Sequence, residues 1–199
     1  MAGTLSPGSG NVTVSGNLVQ GNQAGAGDGG GIAAQFVNGT DIVPAPNNES
    51  TWYRLVLENN MVVNNLAGMA GGGISLQDVA LSTIANNTVA GNQSTATAGA
   101  AFAPGSPNLS TAQPAGIVSR AHSTLLANTI GNGPRVSPYK RYANPTLVNN
   151  IVWHNRSFFW SIDSSTIPAT FGLQANAANP NWDLAVLGTA VPSLLDPRF

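Results

Sequence analysis

Eight acids, two histidines and seven basic residues carry most of the acid–base chemistry available to this chain of 199 residues. The acids are Asp28, Asp41, Glu49, Glu58, Asp78, Asp163, Asp183 and Asp196, and no two are adjacent. Glycoside hydrolysis needs two carboxylates placed across a sugar, and the chain offers no such pair in sequence. Asp28 and Asp78 each border a glycine run, in different stretches, so a fold that overlays those runs brings them closer. An isolated Asp beside Gly is also an ordinary turn residue. His122 and His154 have no acidic neighbour in sequence and are expected at the surface. Cysteine is absent, which removes disulfides, thiolate metal sites and Cys nucleophiles together. The expectation is no metal, no cofactor and no catalytic residue. The GDGGG run at 27–31 lacks the Lys-Ser or Lys-Thr of a phosphate loop, and no helix pattern follows it.

Binding chemistry is denser in one place. The segment GPRVSPYKRYANP (133–145) holds Arg135, Lys140 and Arg141, three of the seven basic residues, with Tyr139 and Tyr142. Aromatic rings and planar guanidinium groups suit sugars and carboxylates. Trp52 and Tyr53 end another loop. These seven residues are the candidate binding set, and the alternative for the 133–145 segment is a solvated loop. A net charge of −1 gives no electrostatic footprint for nucleic acid. No apolar run approaches the ~20 residues of a membrane span, so no transmembrane segment is expected.

The elements that must hold these residues announce themselves through asparagine. Only 8% of residues are charged, while Gly and Asn each occur 23 times. A frame of aliphatic-x-x-Asn-x-aliphatic-x-x-Asn recurs. It reads Val14, Asn17, Val19, Asn22, then Leu57, Asn60, Val62, Asn65, then Ile84, Asn87, Val89, Asn92, and later Leu147, Asn150, Val152, Asn155. A shortened fifth copy reads Leu125, Asn128, Ile130. Glycine runs lie between frames: GGGI at 29–32, GGGI at 71–74 and a weaker AGAAF at 98–102. Segments between turns hold three to five alternating residues, which is strand length and strand period.

Asn tolerates left-handed backbone and suits sharp corners. If each coil places its Asn at one corner, the amides stack and bond up a column. The expected ladder is Asn17, Asn22, Asn60, Asn65, Asn87, Asn92, Asn128, Asn150 and Asn155. Three short strands per coil make an all-β, right-handed single-stranded parallel β-helix, with loop insertions. A β-sandwich with Asn-rich turns is the alternative, and the fixed frame argues against it.

These repeats resemble the GGAI and FxxN repeats of polymorphic outer-membrane-type autotransporter passengers. More broadly they resemble the right-handed β-helices of the pectin-lyase-like superfamily. Val or Ile stands for the Phe of FxxN, and Gly for the Ala of GGAI. The likeness covers about residues 11–160. It implies an extracellular or cell-surface place, in a bacterium, and roles in adhesion, surface display or polysaccharide processing. The paired Asp-Asp, Gly-His-Gly and Arg-Ile-Lys signatures of polygalacturonases have no match here. RVSPYKR is distantly similar to the Arg-x-Pro-x-x-Arg of pectate lyases, with one residue too many between Arg135 and Pro138.

Two Pro-rich insertions, 39–52 and 103–114, follow glycine runs and are expected at one phase, on one face of the coil. The 133–145 segment is expected to replace the glycine strand of the fourth coil. Seven Asn-x-Ser/Thr sequons occur, but Asn92 and Asn155 are ladder positions where a glycan does not fit. The expected organisation is a flexible or processed start (1–10), the β-helix (11–160) and C-terminal strands, cap or linker (161–199). The expected function is a structural module of a larger surface protein, adhesive or self-assembling. Its partners would be another copy or another surface protein. The alternative is a polysaccharide-binding or lyase-like domain.

Overall fold

The computed structural model describes residues 3–165 and 169–188. Met1, Asp196 and the 189–199 tail lie outside the described residues. The chain forms strands where short aliphatic segments are punctuated by Gly and Asn. A first circuit runs β1 (Val12–Ser15), β2 (Leu18–Gln20), β3 (Gln23–Ala24) and β4 (Ile32–Gln35). A second runs β5 (Arg54–Glu58), β6 (Met61–Val63), β7 (Leu66–Ala67) and β8 (Ile74–Gln77). The third is β9 (Leu81–Ala85), β10 (Thr88–Ala90), β11 (Gln93–Ser94) and β12 (Ile117–Arg120). The fourth is β13 (Thr146–Val148), β14 (Ile151–Trp153), β15 (Arg156–Asp163) and, after an added strand β16 (Thr170–Ala175), β17 (Leu184–Leu187).

Successive strands enter successive sheets, and each strand up to β15 pairs with the one four positions before it. The sheets are β1-β5-β9-β13, β2-β6-β10-β14, β3-β7-β11-β15-β16 and β4-β8-β12-β17. All pairings of named strands are parallel except β15 with β16. The fold is all-β with mostly parallel sheets. Its one α-helix among the described residues is α1 (Thr124–Thr129). β15 runs through the expected 160/161 boundary.

Register places like side chains over like. Val14, Leu57, Ile84 and Leu147 align in the first sheet. Val19, Val62, Val89 and Val152 align in the second. Ile32, Ile74, Ile117 and Leu184 align in the last. The middle members Leu57, Ile84, Val62, Val89, Ile74 and Ile117 are buried in one core, and the first-circuit members are only partly covered. Each fully buried aliphatic side chain contributes ~1.5–3 kcal/mol.

Two local features let the circuits stack. At the corners, Asn59, Asn86 and Asn149 take φ of 56°, 56° and 51° in front of Asn60, Asn87 and Asn150. Asn reaches this left-handed geometry at lower cost than most residues. In the last sheet, a Cβ on Gly73 would stand 2.7 Å from Val89 Cγ1 and 3.0 Å from Asn92 Nδ2. Glycine there lets the strand approach the Asn column.

Four sequence expectations change. Each circuit holds four strands in four sheets and not three, because the segment after the second Asn corner splits into a two-residue strand and a strand after the glycine run. AGAAF at 98–102 is not a glycine strand, since Gly99–Ala101 is a 3-10 turn. The third-circuit strand is β12, and Gly116 takes the place of Gly31 and Gly73 before the aligned Ile117. Insertion 103–114 therefore follows β11, while 39–52 follows β4, so the two occupy different phases. It is the 121–145 stretch, between β12 and β13, that shares the phase of 39–52. The 133–145 segment connects sheets, and β17 supplies the last strand of the fourth circuit.

Leu125, Asn128 and Ile130 are not a fifth strand frame. Ser123 Oγ accepts from Leu126 N and starts α1, as a helix N-cap does. Leu126 and Ile130, four residues apart, bury together beside Ile42, Trp52 and Val136.

Candidate functional site

The most repeated polar structure is a pair of asparagine columns. In the first, the backbone N and Nδ2 of Asn17 both donate to Asn60 Oδ1, at 3.0 and 3.1 Å. Asn60 does the same to Asn87, and Asn87 to Asn150, all at 2.9–3.0 Å. In the second, Asn22 donates to Asn65, Asn65 to Asn92 and Asn92 to Asn155. Each inner amide also reaches back one circuit, as Asn60 Nδ2 does to Val14 O, Asn65 Nδ2 to Val19 O and Asn92 Nδ2 to Val62 O, each at 2.9 Å. Every rung except Asn150, the last of the first column, thus donates toward higher-numbered residues through its paired N–H groups. Asn128 takes no part and lies exposed on α1.

The second column ends on Asp183. Its Oδ1 accepts from Asn155 N and Nδ2, at 2.9 and 2.7 Å. A carboxylate accepts and has no N–H to pass on, so it terminates the column. Nothing in the local sequence marked this role, because Asp183 arrives 28 residues after its partner.

The candidate binding residues form no open sugar cleft. Trp52 is 2% exposed and packs with Ile42, Leu81 and Leu126. Its Nε1 donates to Ala45 O at 2.9 Å, so it is a core residue and not a binding platform. Its aromatic size, which marked it as a ligand, instead fills the space between the insertions. Tyr53 is half-buried against the main core. Arg135 pairs with Glu49 at 3.0 Å across the two insertions, an exposed bridge worth under ~1 kcal/mol. Lys140 Nζ donates to Ile130 O and Asn132 Oδ1, both at 2.8 Å. Tyr139 packs on the Trp52 cluster, and Tyr142 bridges to Ala121. Arg141 is exposed. Arg54, Ser82, Thr83, Tyr139 and Thr146 help line a cavity of about 50 Å³, room for a water or two and far below a sugar site.

The acids separate rather than converge. Asp28 binds Arg120 through both oxygens and accepts from Ala70 N. Asp78 accepts from Ser123 N at 2.7 Å and lies 3.5 Å from His122 Nδ1. Burial pushes the Asp78 carboxyl up, but the contacts with His122 and Ser123 outweigh it and hold the group below its usual range. His122 is buried, against the expectation of a surface group, and its Nε2 faces Tyr139 O at 3.1 Å. The 121–145 excursion folds back over the corner at Asp78 and covers it. His154 sits at a corner with φ 57°, its ring 4.9 Å from that of Trp153. No cluster of three or more metal-ligating side chains occurs among the described residues.

The outer face of the second sheet carries a set of exposed apolar side chains on regular strands, as the β15–β16 hairpin does with Ile162, Phe171 and Leu173. On the second sheet, Leu18, Met61, Ile151 and Trp153 are 63%, 52%, 60% and 64% exposed. Strands β2, β6, β10 and β14 contain no charged residue. No helix of the described residues is long and apolar enough to cross a membrane. No protein-family model, curated protein or solved structure matches this chain.

Proposed function

We propose that the chain is a right-handed parallel β-helix of the pectin-lyase-like kind, serving as a structural module displayed outside a bacterial cell. Its repeats resemble those of surface-displayed passengers, and Asp28, Glu49 and Asp78 lie in three separate ion pairs. The observation that carries the reading is the uncharged second-sheet face beside two asparagine columns. Rigid stacked rungs hold Leu18, Met61, Ile151 and Trp153 in a flat array, and exposed apolar arrays of this kind mark contact surfaces. The module adheres or assembles through that face.

Solution mass tests this. The chain is expected to sediment above its 20.2 kDa, and Trp153→Lys to restore the monomer. A wild-type chain that stays monomeric and binds no partner on its native surface would overturn the reading.

A second reading rests on exposed Arg141 beside Tyr142: the module binds or cleaves an acidic polysaccharide along 133–145. Incubation with such polymers, with and without calcium, decides it. No retention and no unsaturated product would remove it.

A further inference from the structure

The sequence holds two Asn-Gly pairs, Asn38-Gly39 and Asn132-Gly133. A glycine after asparagine presents a backbone nitrogen with no Cβ beside it. That nitrogen can come close to the side-chain carbonyl of the asparagine before it. The fold puts the two pairs in opposite surroundings. Asn38 is 1% exposed. Its Nδ2 donates to Asp41 Oδ2 and Tyr53 O, both at 2.9 Å, and its Oδ1 accepts from Ala80 N at 2.7 Å. Gly39 N donates to Asp41 Oδ1 at 2.6 Å. Attack on this amide would build negative charge beside a carboxylate and break the bonds that seat the 39–52 insertion.

Asn132 is exposed, in the 121–145 excursion just after α1. Its Nδ2 makes no hydrogen bond among the described residues, while its Oδ1 accepts from Lys140 Nζ at 2.8 Å. Ile130 O holds the same ammonium at 2.8 Å. Lys140 joins no ion pair among the described residues, so its charge is directed at these two oxygens. A fixed cation on a carbonyl oxygen stabilises the negative charge that develops there when the carbonyl carbon is attacked.

Gly133 N donates to Asn47 Oδ1 at 3.0 Å. This bond must open before the nitrogen can attack. Its acceptor is a neutral amide at an exposed contact, whereas Gly39 is held by a carboxylate. Asn132 therefore combines an unhindered nucleophile, a carbonyl oxygen on a cation, a free leaving group and access to water. Asn38 has only the first of these.

We propose that Asn132-Gly133 is a self-modification site, converting to an aspartyl or isoaspartyl residue with Lys140 as its electrophilic aid. Hydroxide takes the Gly133 N–H proton. The nitrogen attacks Asn132 Cγ, and Oδ1 carries the developing charge against Lys140 Nζ. The Cγ–Nδ2 bond breaks, and Nδ2 leaves as ammonia with a proton from water. The new N–Cγ bond closes a succinimide ring. Water then opens the ring at either carbonyl. The sum exchanges ammonia for water, and nothing is oxidised or reduced. Either product sets a carboxylate against Lys140, which gains the ionic partner it lacks. The isoaspartyl product also routes the main chain through the side-chain carbon, which lengthens the strap between Ile130 and Val136.

The full folded chain, held at neutral and mildly alkaline pH, is the test material. Peptide mass reports amide loss at each position, and electron-transfer fragmentation separates aspartyl from isoaspartyl products. Position 132 is expected to convert ahead of Asn38 at every time point, and faster as pH rises. Lys140→Gln should slow the folded chain about tenfold, while Lys140→Arg, which keeps a cation, should stay nearer the wild-type rate. In urea all three chains should convert position 132 equally. Conversion in urea but none in the folded chain would overturn the site. Equal conversion of Asn38 and Asn132 in the folded chain would overturn it too, since the surroundings would then not matter. A folded Lys140→Gln chain that converts as fast as wild type, or faster, would overturn the part given to Lys140.

Discussion

Replacing Asn92 with alanine should be among the most damaging single changes to this protein. The residue is fully buried. Its Oδ1 accepts from Asn65 N and Nδ2, both at 3.0 Å. Its Nδ2 donates to Val62 O at 2.9 Å and Asn155 Oδ1 at 2.8 Å. Alanine removes four bonds, each worth about 1 kcal/mol net. It also strands the buried Asn65 N–H, for a further ~1 kcal/mol or more. The expected loss is ~4–5 kcal/mol, at the upper end for a point change. Asn17→Ala is the internal control. That side chain is exposed, makes two bonds and has water at hand, so its loss should stay under ~1 kcal/mol. Urea unfolding followed by circular dichroism, with an unchanged m-value, reads both. If the two variants lose the same stability, the columns are decoration and the ladder argument is wrong.

Gly73→Ala should cost ~1–3 kcal/mol, because its Cβ would press on Val89 and Asn92; Gly27→Ala, with nothing within 4 Å, should be neutral within ~0.5 kcal/mol, and thermal melts compare them. Asp78 has a folded pKa held below its ordinary value. The unfolded chain therefore binds more protons in that window, and the stabilisation is complete above the ordinary carboxylate range and lost as pH falls through and below it. Asp78→Asn should flatten the acid limb of the stability curve, and an unchanged limb would assign the acid loss to another group.

Much of the framework was legible because its physics is local. A ladder Asn directly after a left-handed corner residue, with an aliphatic three positions before it, is readable one circuit at a time. Four of the five frames therefore mark strands, and eight of the nine proposed Asn positions meet in two columns. Asn128 misled because Leu125, Asn128 and Ile130 match the spacing while Ser123 caps a helix in front of them. The β12 strand was hidden because one glycine, Gly116, stands where the earlier circuits have three. That slip moved the insertion at 103–114 to the wrong phase.

The candidate site was less legible. Trp52, Lys140 and Arg135 look like ligand-binding groups in sequence, and their partners Ala45, Ile130 and Glu49 lie in loops whose docking is a tertiary event. His122 gave no warning of burial, since its acidic partner Asp78 lies 44 positions earlier in the numbering.

Equivalent rungs are separated by 43, 27 and 63 residues along the chain, yet their bonds are nearly identical in length. Lengthening a flexible closure from 27 to 63 residues adds only ~0.75 kcal/mol of chain entropy. The framework is therefore indifferent to how much polypeptide leaves and returns between β4 and β5 or between β12 and β13. Those junctions behave as sockets. New sequence can be grafted at their exposed turns while the rungs beneath keep their spacing, provided Ile42, Trp52, Leu126, Ile130 and Val136 stay to cover Ala80 and Leu81.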